Sequence, residues 1–269
     1  MGSMNNVETF TQKMRNGELC LGTAITFADP AVSELMAEAG YDFTWIDMEH
    51  GPVDIRTALG HVMALRGTNT APLVRVQWND VNVIKPVLDL CPAGIIVPMV
   101  CSRKEAEAAV MACKYPPLGV RGYGPRRGQR FSAITQPEYL KEADGHTLVL
   151  VQIEHVEAVK NLDAILDTPG LDGICVGPND LSGSMNKLGQ LDDPQVSSTI
   201  DLIFEKARKT DLFVGVSTGY AATTLDRWFN RGAQWINLNV DWANLFMKSK
   251  EVADSFRKAA SARAAGATA

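Results

Sequence analysis

Two carboxylates, a guanidinium and an imidazole stand in this sequence at the ends of short apolar runs, where a polar surface stretch would not put them. Glu154 closes the run Thr147–Glu154. Asp180 follows the run Leu171–Val176 within Gly177-Pro178-Asn179-Asp180. Arg75 interrupts the otherwise apolar Pro72–Val76, and His50 follows Phe43–Asp47 in Asp47-Met48-Glu49-His50-Gly51-Pro52. Paired carboxylates with water and substrate oxygens suit a hard divalent cation, Mg²⁺ or Mn²⁺ first and Co²⁺ as a further candidate. A guanidinium at a strand end can hold a carboxylate by a two-pronged fork. An imidazole changes charge near neutral pH and is the natural proton carrier. Each residue also has a plainer reading. Asp180 suits a helix N-cap, and Arg75 could pair with Asp47 or Glu49 within the chain. No lysine lies in any of the apolar runs. A Schiff-base mechanism is therefore disfavoured, and the cation is left as the electron sink for an enolate developing from a 2-oxo acid.

These residues must be positioned by a scaffold, and the spacing of the runs names it. Eight short apolar, β-branched runs recur along the chain: Cys20–Thr26, Phe43–Asp47, Pro72–Val76, Gly94–Pro98, Thr147–Glu154, Leu171–Val176, Leu212–Ser217 and Gln234–Asn239. Most are continuously apolar, as parallel strands covered on both faces are. Helical stretches such as Ala31–Ala39, Ile55–Leu65, Lys104–Cys113 and Val156–Leu166 alternate with them. The pattern predicts an α/β fold, a single-domain (β/α)₈ TIM barrel over 17–262, and a length of 269 residues suits it. Residues 1–16 read as a preceding segment in which Met1-Gly2-Ser3-Met4 resembles a vector-derived scar, and 263–269 as a flexible tail. Barrel chemistry sits at the C-terminal strand ends, so the runs that carry His50, Arg75, Glu154 and Asp180 are expected to share one mouth.

Composition narrows the partners. A formal net charge of -5 argues against nucleic acid. The polar N-terminus lacks a signal-peptide core, and no apolar run approaches a membrane span of ~20 residues. The five cysteines form no CxxC pair and no zinc spacing, which favours reduced thiols in the cytoplasm. Against this acidic background the link Lys114–Gly145 carries Arg126, Arg127 and Arg130. If the link lies on the catalytic face, these cations favour a negatively charged acceptor; a solvated or subunit-contacting loop is the alternative.

Five motifs occur in order: Ile46-Asp47-Met48-Glu49-His50, Pro72-Leu73-Val74-Arg75, Tyr115-Pro116-Pro117-Leu118-Gly119-Val120-Arg121-Gly122, Val151-Gln152-Ile153-Glu154 and Gly177-Pro178-Asn179-Asp180-Leu181. In combination they resemble the metal-dependent class II pyruvate aldolases of the 4-hydroxy-2-oxoheptanedioate and 2-dehydro-3-deoxyglucarate aldolase family. The resemblance implies reversible cleavage of a 4-hydroxy-2-oxo acid to pyruvate and an aldehyde. It implies Glu154 and Asp180 as metal ligands, and Arg75 on the carboxylate or keto oxygen. Gln152, Gly177, Pro178 and Asn179 would contact substrate, and His50 would act as acid/base with Asp89 as its partner. It is also compatible with a homo-oligomer such as a hexamer. Oxaloacetate decarboxylation through the same enolate, and a non-catalytic 2-oxo-acid-binding barrel, are the competing readings. Two segments depart from the pattern, Thr23-Ala24-Ile25 and Gly124–Phe131, both where an acceptor aldehyde would be read.

Asp89 raises a geometric question. It ends the predicted helix Asn82–Asp89, at the barrel floor, whereas His50 is at the mouth. Eight residues of helix span roughly 12 Å, too far for contact within one chain. Both placements hold if Asp89 reaches His50 of a neighbouring subunit, which predicts a homo-oligomer with active sites near subunit interfaces; the alternative is that Asp89 only caps the helix–strand turn.

Overall fold

The computed structural model describes residues 4–266. Eight strands form one closed barrel: β1 (Cys20–Ile25), β2 (Phe43–Asp47), β3 (Ala71–Arg75), β4 (Gly94–Val97), β5 (Leu148–Ile153), β6 (Gly173–Val176), β7 (Phe213–Thr218) and β8 (Trp235–Val240). Every neighbouring pair is parallel, and β8 returns to β1. All eight expected strands are present, with ends shifted by a residue or two. The expected helix Val156–Leu166 is broken into Val156–Lys160 and Leu162–Leu166.

The period-2 alternation of each strand sorts its side chains into two cores. Ile46, Val74, Ile95, Val149, Val151, Ile174, Val214 and Ile236 point outward and pack under the helices. Phe43, Trp45, Leu73, Ile96, Leu150, Cys175 and Trp235 point inward and fill the barrel. Bulk there is matched by a glycine: a Cβ on Gly215 would lie 2.1 Å from the Trp235 ring. The inward layer nearest the mouth is different. It holds Asp47, Arg75, Gln152, Ser217 and Asn237, so the barrel is apolar below and polar at its C-terminal rim.

The segment preceding the barrel is not a mere appendage. Its helix Val7–Arg15 turns Val7, Phe10 and Met14 into the interior core, with Phe10 and Phe43 ring centroids 5.4 Å apart. The spacing of those three apolar residues gives one helical face, and that face closes the barrel floor. At the other end, the helix Asp241–Gly266 runs through the start of the expected flexible tail. Only 267–269 of that tail lie outside the described residues, as do Met1-Gly2-Ser3 of the scar-like start. Trp242, Leu245, Phe246, Val252 and Phe256 on this helix are exposed. Among the described residues no helix is long and apolar enough to cross a membrane, and all five cysteines are free.

Candidate active site

The site begins with the register of β2 and β3, which pairs Asp47 with Arg75. Both side chains point inward. Arg75 donates from Nε to Asp47 Oδ1 at 3.0 Å and from one terminal nitrogen to Asp47 Oδ2 at 2.6 Å. The intramolecular pairing raised as the plainer reading for Arg75 is therefore present, and it takes up one edge of the fork. The other terminal nitrogen lies 2.8 Å from Glu49 Oε2 and 3.4 Å from Gln152 Oε1. The guanidinium also sits over the Trp45 ring, 5.2 Å from its centre, where the ring's negative face favours a cation. Arg75 is thus fixed by Asp47 and Trp45, and its remaining nitrogen is engaged by Glu49 and Gln152.

β5 brings Gln152 and Glu154 to the same layer. Gln152 donates its amide N–H to Glu154 Oε2 at 2.6 Å, and Met99 donates its backbone N–H to Glu154 Oε1 at 2.8 Å. Met99 does so from the left-handed region, φ 56°, a conformation a side chain adopts at a cost. Gly177, at the end of β6, has a reason to be glycine: a Cβ there would lie 2.6 Å from Glu154 Oε2. Asp180 lies inside the helix Pro178–Ser184, whose N-cap is Gly177 without a side-chain cap bond. The capping reading for Asp180 is thus set aside, and its exposed carboxylate sits over the mouth.

Burial pushes the Glu154 carboxyl up to about 7, and the neighbouring charges of Asp180 and Glu49 push the same way, against the Met99 N–H and Arg75. Glu49 is likewise raised, by burial first, with Arg75 and His50 opposing it. Asp47, Glu49 and Glu154 therefore surround one guanidinium, and Asp180 adds its charge to Glu49 and Glu154. Glu154 and Asp180 could hold a cation here. Two carboxylates with remaining positions for water and substrate are what Mg²⁺ accepts, and the excess negative charge is what a cation relieves. No group of three or more His, Cys, Asp or Glu side chains forms a ready-made cage among the described residues.

Pro178 is buried and Asn179 exposed at the same rim. His50 is exposed, its backbone N–H donating to Asp47 Oδ1 at 3.3 Å. No side-chain partner for the ring is found among the described residues. The other histidines are structural. His61 Nε2 donates to the Phe27 carbonyl at 2.9 Å, which leaves Nδ1 to accept from Ser33 Oγ at 2.9 Å. His155 caps the helix Val156–Lys160, and His146 pairs with Glu142. No lysine is buried among the described residues.

Two expected participants lie elsewhere in the chain. Asp89 is at the C-terminal end of the helix Val81–Leu88, on the floor, half-buried and 3.6 Å from Arg121. The expectation that Arg126, Arg127 and Arg130 line the catalytic face of their own barrel is corrected. The segment Lys114–Gly145 follows the helix Arg103–Cys113 and precedes β5, so it is a return connection and lies on the floor. Arg127 is buried there, donating to the carbonyls of Leu90 at 2.9 Å and Val62 at 3.4 Å. It clips two helix ends together and is not free for an acceptor.

One residue escaped the sequence reading. Asn237 on β8 points into the polar layer and is 3% exposed. The alternation Trp235-Ile236-Asn237-Leu238-Asn239 was the signal for it.

Comparison with known proteins agrees with this geometry. Residues 25–246 match the family model described as HpcH/HpaI aldolase/citrate lyase. The chain is 36% identical over 264 residues to a hydroxypyruvate/pyruvate aldolase of Pseudomonas aeruginosa, covering 97% of each. It is 35% identical over 242 residues to a 5-keto-4-deoxy-D-glucarate aldolase of Enterobacter sp., covering 90% of this chain and 93% of the relative. The crystal structure of an HpcH/HpaI aldolase from Desulfitobacterium hafniense superposes with a TM-score of 0.86 at 28% identity, over 92% of this chain and 96% of that one. The inward carboxylates, the rim arginine and the closed barrel thus belong to a carbon–carbon lyase, and the chain is a member of the HpcH/HpaI aldolase/citrate lyase family.

Proposed function

We propose that the chain is a divalent-cation-dependent aldolase that cleaves 4-hydroxy-2-oxo acids, reversibly, to pyruvate and an aldehyde. The observation that carries this reading is the buried Glu154 carboxylate, fixed by the Gln152 amide and the Met99 N–H in the inward layer that also holds Arg75, with the carboxylates of Glu49 and Asp180 close enough to add negative charge. Glu154 and Asp180 would hold Mg²⁺ or Mn²⁺, with Co²⁺ as a further candidate. When bound, the cation supplies the polarisation of the 2-oxo group that an iminium supplies in lysine-dependent enzymes.

The chain's own residues do the rest. The terminal nitrogen of Arg75 that pairs with Glu49 turns from it to the carboxylate or keto oxygen of the 2-oxo acid. Gln152 holds the Glu154 carboxylate in its orientation. Gly177 and Pro178 set backbone beside the substrate, with Asn179 at the rim. His50, through a water, takes the proton of the 4-hydroxyl as the C3–C4 bond breaks. C4 leaves as the aldehyde carbon, and a proton added at C3 completes the methyl group of pyruvate. Asp89 of a neighbouring protomer orients the His50 ring. The relatives named as pyruvate and keto-deoxy-glucarate aldolases support the substrate class.

Exhaustive chelation should abolish cleavage of a 4-hydroxy-2-oxo acid, and Mg²⁺, Mn²⁺ or Co²⁺ should restore it. Borohydride added with pyruvate should leave the restored rate intact. Full activity after chelation, together with inactivation by borohydride, would remove the class II assignment.

A further inference from the structure

The Glu154 carboxylate is held from three sides, by Gln152, Gly177 and Met99, and the Met99 side is built at a cost. Gln152 donates its amide N–H to Oε2, and the Gly177 backbone lies so near the same oxygen that a Cβ would not fit. The Met99 N–H is 2.8 Å from Oε1. β4 leaves its ladder with β5 at the pair Val97–Val151. Two residues further, an extended chain would lie beside Ile153 and continue that ladder. Met99, at φ 56°, ends that course. The left-handed region is costly for a residue with a Cβ. Packing of the Met99 side chain does not offset the cost, because that side chain is exposed, while Pro98 and Val100 on either side of it are buried. What the conformation delivers is the N–H on Glu154.

The turn is itself held from outside the site. Glu105, in the first turn of the helix Arg103–Cys113, accepts the Cys101 N–H at 2.6 Å, one residue beyond the N-cap Ser102. Ser102 Oγ accepts the Glu105 N–H at 3.3 Å in return. Asn161, between the helices Val156–Lys160 and Leu162–Leu166, donates its amide N–H to the Cys101 carbonyl at 2.9 Å. Both backbone groups of Cys101 are therefore held by side chains from separate parts of the chain. Val100 is buried in the core under the helices. The chain from Val100 to Ser102 is thus fixed, and it fixes the turn at Met99.

We propose that Met99 positions Glu154 through its backbone alone, and that Glu105 and Asn161 are positioning residues that hold the Met99 turn. A carboxylate with one N–H on each oxygen keeps its remaining lone pairs in a fixed direction, so a cation meets it without reorganisation. The requirement at position 99 is therefore conformational. A residue that tolerates the left-handed region serves there, whatever the chemistry of its side chain. The assignment rests on the cation reading of Glu154 above and adds the residues that aim that carboxylate.

The test titrates Mn²⁺ into the metal-free full chain and reads free Mn²⁺ by electron paramagnetic resonance, so binding is measured without turnover. Asparagine and glycine enter the left-handed region readily, and a β-branched residue does not. Met99→Asn and Met99→Gly should keep the dissociation constant within about threefold, whereas Met99→Val should raise it roughly tenfold, the usual effect of losing a partner behind a metal ligand. Glu105→Ala combined with Asn161→Ala should raise it by a similar factor. Glu105→Gln, whose amide oxygen still accepts the Cys101 N–H, should not. Melting temperatures identify any variant that fails to fold. The double variant leaves residue 99 and the side chains of the mouth intact, and it decides the matter where Met99→Val does not fold. Affinity that follows side-chain polarity, with Met99→Val like wild type and Met99→Asn weakened, overturns the backbone assignment. Unchanged Mn²⁺ affinity in the double variant overturns the hold on the turn. A wild type that binds no Mn²⁺ sinks the cation reading and the positioning with it, whereas binding that is equal in wild type and all variants sinks the positioning alone.

Discussion

Arg75 serves two purposes with one guanidinium. Two of its nitrogens hold Asp47, and the third faces Glu49 and Gln152. In the proposed role a substrate oxygen would compete with Glu49 for a single nitrogen, which Asp47 would aim by holding the rest of the guanidinium. Arg75→Lys would remove the fork and leave Asp47 buried without its bidentate partner. A lysine keeps the charge but not the two-pronged geometry, so the stability loss should be about 1–3 kcal/mol, the cost of leaving a buried polar contact unmade. Losing the charge-assisted contact to the 2-oxo acid should lower kcat/KM by roughly a hundredfold. Steady-state kinetics and urea melts on the same preparation separate the two effects. Wild-type kinetics in Arg75→Lys would remove the substrate role, and an unshifted melt would remove the structural one.

At the scale of elements, His61 ties the helix Ile55–Ala64 to the loop at Phe27 and to Ser33 of the helix Ala31–Glu38. The same loop is held from the other side by Asp241, which accepts from the backbone of Thr26 and Phe27 at 2.8 Å. Burial lowers the His61 pKa below its ordinary 6.5. The folded state thus binds this proton less readily than the unfolded chain. Its contribution is fully present above pH 6.5 and is lost as pH falls below that toward the folded value. Burial of Glu154 acts with the opposite sign, so the test is a difference. Urea midpoints of wild type minus those of His61→Gln, from pH 7.5 to 5.5, should shrink as pH falls. A difference independent of pH would show that His61 does not carry the proton linkage. The elements themselves were largely legible. Buried parallel strands read as apolar runs, and the polar residues that end them marked the mouth. The side of the barrel that a connection occupies was harder to read. The helix Lys104–Cys113 was legible before Lys114–Gly145, yet the link was set on the catalytic face, although a helix between it and the fourth strand reverses the chain and delivers the arginines to the floor. The fork on Asp47 depends on the pairing of β2 with β3, which no local pattern encodes. The floor-closing helix Val7–Arg15 was readable from the spacing of Val7, Phe10 and Met14.

For the whole molecule, the floor and the mouth must be reconciled. The floor carries Asp89, its neighbour Arg121 and the exposed Arg126. The mouth carries His50, whose ring has no side-chain partner among the described residues. The helix Asp241–Gly266 leaves Trp242, Leu245, Phe246, Val252 and Phe256 exposed, up to 76% at Phe256, and large apolar side chains gathered on one exposed element are the kind that association covers. A homo-oligomer in which one protomer's floor meets its neighbour's mouth satisfies all three observations, and closed symmetry repeats the contact around the assembly. In such an assembly Asp89 would reach His50 in trans, where a carboxylate can fix the ring's orientation and support its charged form. Burial already raises the Asp89 carboxyl, although Arg121, Lys85 and Arg126 oppose it. The neighbouring imidazolium would add one more opposing charge. Mixing protomers tests this arrangement directly. Asp89→Asn and His50→Ala homo-oligomers should each be nearly inactive. Co-refolded hybrids that contain an intact His50 facing an intact Asp89 should regain part of the wild-type cleavage rate, in proportion to the fraction of such interfaces measured by native mass spectrometry. Verified hybrids without recovery, or a fully active monomer on size-exclusion chromatography with light scattering, would remove the Asp89 contact from the reaction.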